Sequence, residues 1–303
     1  MIACAGRSTM SEGISPASIA AVRSHQHFPA ALYAAAAGFT RLFEGNRLLN
    51  AVVTDRGRVV IANMSLYIHF FGTPDDPAPG LTPVRMKKVC AALQICSPGR
   101  AEAMLLIMQL FGYLESARDA GRARLLVPTE KLIASHRERW HMMFDAVAPI
   151  LPDAAAARDN LRRPDFIRAF VGQLGARFFS GTRVIDHAPE LGLFAERNGG
   201  VMIMFALLLA GDSDDGFPPR KPISVSISDL SRRFGVSRAH VRKLLRDAAD
   251  EGYLARVGEA EGRFLLQPQF KDAVENFLAT TFLYLVDCAG AAMADSPSVR
   301  AAG

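Results

Sequence analysis

A chain of 303 residues with 50% hydrophobic and 21% charged side chains carries enough apolar material for two ordinary domains, which excludes a wholly disordered protein. Thirty-five Lys and Arg against 30 Asp and Glu leave a formal charge of +5, the sign of a protein that meets a polyanion. Long uncharged runs such as 24–40, 59–74 and 198–211 reach 17, 16 and 14 residues, short of the roughly 20 needed to span a bilayer. No membrane segment is therefore expected. The N-terminus lacks the apolar stretch of about 7–15 residues that marks a secretory signal, and a cytoplasmic protein is expected.

In chain order, residues 1–16 are polar and read as a disordered head. A helix is expected over about 17–49, where Phe28, Tyr33, Phe39 and Phe43 read as core. Thr82-Pro83 and Ser97-Pro98 each set an N-cap residue before a proline at the first helical position, so two helices start there. A hairpin follows over Glu115 to Leu126. The segment from Trp140 through Leu161 leads into a helix from Pro164 to about Ile185, with Phe166, Phe170, Phe178 and Phe179 as further core. Ser226 and Asp229 have capping-box spacing ahead of Leu230 and Phe234, predicting a helix that ends near Gly235. Ser237 is the natural N-cap of the next helix, whose Val241, Leu244, Leu245 and Ala248 recur at helical spacing, and Gly252 stops it. Two short strands joined by a Gly-containing turn come next. Residues 289–303, rich in Ala and Ser, read as a disordered tail.

The chain repeats itself. Residues 97–131 align with 237–271 at a constant offset of 140, and ten of the 35 positions are identical. The matches include Gly112-Tyr113-Leu114 with Gly252-Tyr253-Leu254, and Pro128 with Pro268, which chance helical composition does not place in register. Upstream, RLFEGNRLLN from Arg41 resembles RFFSGTRVID from Arg177. The chain thus reads as two units, 17–160 and 161–288, mainly α with small β-wings. Each carries helix, tight turn, helix and hairpin, the winged helix-turn-helix order whose second helix enters the major groove of DNA.

Around the first hairpin, Asp119, Arg122, Leu126, Thr129 and Glu130 stand where the MarR family of bacterial transcriptional regulators has its wing Asp and Arg and its Leu-x-x-Thr-Glu strand end. The chain resembles that family in layout over most of both repeats. The second wing departs from the motif, with Gln269-Phe270 in place of Thr-Glu. The resemblance implies terminal helices that interleave, and hence a monomer with internal pseudo-twofold symmetry. It also implies a small aromatic-acid effector.

Double-stranded DNA is the expected partner. In the second unit the residues expected to contact it are Ser237, Arg238, Arg242, Lys243, Arg246, Arg256 and Arg263. In the first they are Ser97, Arg100, Arg118, Arg122 and Arg124. The two are unequal: 232–246 hold six bases and no acid, whereas 92–106 hold Arg100 and Glu102 alone. A plasmid replication initiator with tandem winged helices, and a protein-binding adaptor, are the alternatives. The pairs His25, His27 and His136, His141 lack the ligands of a metal site and read as surface or interface residues. Four cysteines without a C-x-x-C pair fit a reducing compartment. Cys90 and Cys96 read as buried thiols, with redox activity left open. No P-loop, dinucleotide fingerprint, nucleophile elbow or zinc-protease motif occurs, so neither catalysis nor a cofactor is expected.

Overall fold

The structure, a computed structural model, describes residues 14–46, 50, 55–118, 124–212, 214–258 and 262–295, Arg118 by its backbone alone. The described chain is mainly helical, with two small antiparallel sheets. Helix α1 (Pro16–Ser24) starts at a proline behind Ser15, whose hydroxyl accepts the Ser18 N–H at 3.1 Å. The single helix expected over 17–49 is in fact broken. The chain turns at His25, and α2 (Phe28–Phe43) restarts with Pro29 in its first turn, because a proline cannot donate the bond that would carry α1 onward. Next come α3 (Arg56–Phe71), capped by Asp55, then α4 (Pro83–Ala92) and α5 (Pro98–Leu110), capped by Thr82 and Ser97 as their sequences predict. Strand β1 (Leu114–Arg118) pairs antiparallel with β2 (Arg124–Pro128).

Three helices follow: α6 (Glu130–Val147), α7 (Asp153–Asn160) and α8 (Pro164–Phe179). After two short 3₁₀ turns the chain forms α9 (Gly192–Ala195) and α10 (Gly200–Leu208), then β3 (Ile223–Ser224), α11 (Ile227–Phe234), α12 (Arg238–Asp250), β4 (Leu254–Arg256), β5 (Arg263–Leu266) and α13 (Pro268–Asp295). The second sheet has the order β3-β5-β4. In the first, a lone bridge between Leu81 and Leu126 stands at the place of β3.

Both chain ends depart from expectation. The polar head was to include Ile14, which is only 2% exposed, and the tail was to start at 289, yet α13 continues to Asp295 and buries Ala289 and Ala292. Residues 1–13 and 296–303 lie outside the described residues. By length and composition α13 could cross a membrane, although Glu275 and Asp287 interrupt its uncharged stretches. It packs against α1, α7 and α8. A long helix apolar on most sides is equally the mark of a protein interior.

The halves correspond element by element. Both ends of α5 and α12 differ by 140 in number, and residues 101–110 and 241–250 match in burial class at all ten positions. The helix packing obeys an exchange rule. Helix α2 packs on α6 as α8 packs on α13, α2 packs on α10 as α8 packs on α3, and α1 packs on α13 as α7 packs on α6. These three contacts recur with the corresponding helices exchanged. Where α8 meets α3 the approach is close, since a Cβ on Gly175 would lie 1.9 Å from the Tyr67 ring. The core beside this joint is aromatic: Phe170 stacks on Phe166 and meets Trp140 edge-on at 5.1 Å. Burying each such ring contributes about 1.5–3 kcal/mol.

Candidate nucleic-acid interface

In the second half, the Ser226 hydroxyl accepts the Asp229 N–H at 3.2 Å to start α11. Gly235, at φ 67°, ends it in the left-handed region. Ser237 then caps α12 by accepting the His240 N–H at 3.1 Å. With Val241, Leu244, Leu245 and Ala248 turned into the core, the 3.6-residue period leaves Arg238, Arg242, Lys243 and Arg246 on the solvent side. Lys243 pairs with Asp247 at 2.9 Å, and Asp247 also takes Arg197 at 2.7 Å. These two partners hold the Asp247 carboxyl below its usual pKa, the Lys243 hydrogen bond first. Arg256 and Arg263 are exposed on the hairpin beside the helix.

A surface cleft of about 610 Å³ runs between the starts of α11 and α12, lined by Ser224, Ser226, Ser228, Arg238 and Arg242. Hydroxyls and guanidinium groups gathered at two helix N-termini form a surface suited to phosphate. The three serines are site residues that sequence reasoning missed. Their signal was the alternation Ser224-Val225-Ser226-Ile227-Ser228, which sets three hydroxyls at every second residue.

The first half uses the same scaffold differently. Ser97 accepts the Arg100 N–H at 3.3 Å. The Arg100 guanidinium reaches back to Asp55 at 2.9 Å, a carboxylate 6% exposed that also holds Arg58 at 3.2 Å. Its equivalent, His240, donates Nε2–H to the Asn198 carbonyl at 2.8 Å. Both residues tie the second helix of their unit to the start of the preceding long helix. Arg124 donates to the Gln109 side chain at 3.2 Å. Arg122 and the Arg118 side chain lie outside the described residues. The outward face of α5 shows Glu102, paired with Lys87 at 3.1 Å, and the apolar Leu106 and Leu110, 52% and 79% exposed.

The helix-to-hairpin turn is common to both halves. Gly112 and Gly252 adopt φ 70° and 78°, open to glycine at little cost. The Thr129 hydroxyl donates to the Gly112 carbonyl at 2.7 Å, and the Gln269 amide donates to the Gly252 carbonyl at 2.8 Å. Between the hairpins the pairing slips by two residues, Leu114 facing Pro128 but Leu254 facing Leu266. An even slip keeps every side chain on its own face, and the longer Gln side chain spans it. The departure from Thr-Glu in the second wing thus preserves the bond.

His136, expected at a surface or interface, is 1% exposed. Burial, and then the charge of Arg139, push its pKa down to about 3, so the ring is neutral and Nδ1–H donates to the Leu132 carbonyl at 3.0 Å. Among the described residues no group of three metal-capable side chains occurs. Cys90 is buried at the end of α4, whereas Cys96, also expected to be buried, is half-buried in the turn that follows. Burial, then the neighbouring Cys96, push the Cys90 thiol up to about 12, which keeps it protonated and a poor nucleophile. No protein-family model matches the chain, and neither a curated protein nor a solved structure matches it.

Proposed function

We propose that the chain is a cytoplasmic, sequence-specific DNA-binding regulator of transcription. In this reading it is two MarR-like winged helix-turn-helix units fused as a single-chain pseudo-dimer that answers to a small effector. One observation carries the reading: Arg238, Arg242, Lys243 and Arg246 share the solvent face of α12, with Arg256 and Arg263 on the adjoining hairpin. A helix of this kind enters the major groove with its first turns on the bases while the wing meets the backbone. The Ser-lined cleft adds phosphate contacts beside it.

The first unit supports a second reading for itself alone. Exposed Leu106 and Leu110, with Arg100 engaged by Asp55, favour contact with protein over base readout on that side. A mobility-shift assay with genomic fragments tests the whole. Neutralising about five phosphates predicts an affinity that falls roughly 500-fold between 50 and 200 mM salt. Absence of any shift at the lower salt would refute DNA binding.

A further inference from the structure

The helix-turn-helix of the second half is held by the first half from two sides. At the end of α11 the Arg233 guanidinium pairs with Glu44, just past α2, at 3.0 Å. The next residue, Gly45, donates its backbone N–H to the Arg233 carbonyl at 3.1 Å. That carbonyl stands in the last turn of α11, where a helix leaves acceptors without a partner of their own, so the first half completes the helix end. Gly45 reaches it from φ 68°, which glycine adopts without strain.

On the other side, residues 196–200 make the tight turn that leads into α10. Glu196 pairs with Arg56 at 2.9 Å, and the Asn198 side chain accepts from Arg58 at 3.4 Å; both arginines stand in the first turn of α3. The same segment holds α12. Arg197 takes Asp247 at 2.7 Å, and the Asn198 carbonyl accepts from His240 at 2.8 Å. Gly199 lies against the turn between α11 and α12, since a Cβ there would stand 3.2 Å from the Val236 side chain. Asp247 in turn fixes Lys243, on the solvent face of α12, at 2.9 Å. A chain of contacts thus runs from α3 of one half to a base-reading side chain of the other.

The turn after α8, which matches the Glu44-Gly45 turn in sequence, is built differently. Ser180 replaces the glutamate, its hydroxyl donates to the Arg177 carbonyl, and the Gly181 amide donates to Phe178, so both bonds close on their own helix. We infer that the first half positions α12 for base recognition, with Glu44 and Arg56 as positioning residues that act through Arg233 and the 196–198 segment. Base readout needs a donor within hydrogen-bond distance of one base edge, and a small tilt of α12 removes it; phosphate contacts made by long cationic side chains survive such a tilt. Loosening the hold therefore costs specificity and spares non-specific binding. The consequence for DNA rests on the regulator reading; the hold on α12 does not.

Hydrogen exchange of the free full-length chain, and mobility shifts with a selected operator and with an unrelated fragment, test the two parts. Glu44→Gln should speed exchange of the α11–α12 amides about fivefold, the upper range for a partly exposed pair, and leave the α4–α5 amides unchanged. On DNA it should weaken operator binding about fivefold and leave the unrelated fragment within about twofold, whereas an acid that merely repelled phosphates would, once removed, tighten both. Exchanging the charges, Glu44→Arg with Arg233→Glu, should restore both readouts. Arg56→Gln, at the other contact, should act in the same direction as Glu44→Gln and keeps the test open if the exchanged pair fails to fold. Unchanged exchange in α11–α12, exchange that rises equally in both halves, or operator and unrelated DNA weakened alike would overturn the inference. Exchange is read without DNA, so failure of this hold and failure of the regulator reading are distinguished.

Discussion

Arg56, at the start of α3, and Glu196, just after α9, form an ion pair at 2.9 Å that joins the two halves. Two residues along, Arg58 donates to the Asn198 side chain at 3.4 Å. Both partners of the first pair are exposed, 44% and 59%, and such a pair contributes under about 1 kcal/mol. If the chain is the pseudo-dimer proposed above, α1, α2, α7 and α8 cover the surface a second chain would use. Light scattering should therefore give the mass of one chain, 32.8 kDa; an obligate dimer would refute the pseudo-dimer.

The two half-sites should be read unequally. Arg242→Ala on a selected operator should cost about tenfold or more in affinity, the loss of one good base contact. Arg100→Ala should cost little in binding and instead lower stability by about 1 kcal/mol through the lost pair with Asp55. Equal binding losses, or a selected operator that is a clean palindrome, would contradict the asymmetry.

On the wing, Arg263→Ala should weaken binding to all sequences alike and reduce the slope of log affinity against log salt by about 1. Unchanged affinity at low salt would place Arg263 off the DNA.

Protonation of His136 should set part of the acid sensitivity. Folding lowers its pKa to about 3 from about 6.5 in the unfolded chain. Above pH 6.5 both states are neutral and the stability is complete. Between pH 6.5 and 3 only the unfolded chain takes up the proton, so stability falls by about 1.4 kcal/mol per pH unit. Urea midpoints at pH 7 and pH 5 should differ by the equivalent of about 2 kcal/mol from this residue. His136→Gln should remove that part; a pH dependence identical to the parent would acquit the histidine.

At the α8–α3 joint, Gly175→Ala drives a methyl into the Tyr67 ring, 1.9 Å away, and should cost about 1–3 kcal/mol by overpacking. Gly290→Ala in α13 meets nothing within 4 Å and should be neutral or stabilise by about 0.5–1 kcal/mol, the helix-propensity gain. Urea denaturation reads both; a neutral Gly175→Ala would mean that the halves are not held this tightly.

Much of the fold was legible in residue order because its signals are local. The caps at Thr82, Ser97, Ser226 and Ser237, the prolines behind two of them, and the glycines at 235 and 252 act through bonds that close within a few residues, and each falls where it was expected. The offset of 140 was equally plain over 97–131, where no insertion disturbs it. The outward basic face of α12 followed from periodicity alone.

What the order of residues left undecided is what each side chain meets. Arg139 lies beside the charges of Arg137 and Glu138 in the sequence, yet α6 leaves it only 9% exposed. Arg100 reads as a DNA contact, yet its guanidinium closes on a carboxylate 45 residues upstream. The proline at 29 ends α1, but where α1 then lies is held by Arg23, which reaches Asp272 and Glu275 on α13 at 2.7 Å. Capping and periodicity are properties of a short stretch of chain, so sequence determines them. Burial, pairing and the fate of a charge depend on helices brought together from opposite ends of the chain, and only the tertiary structure decides those.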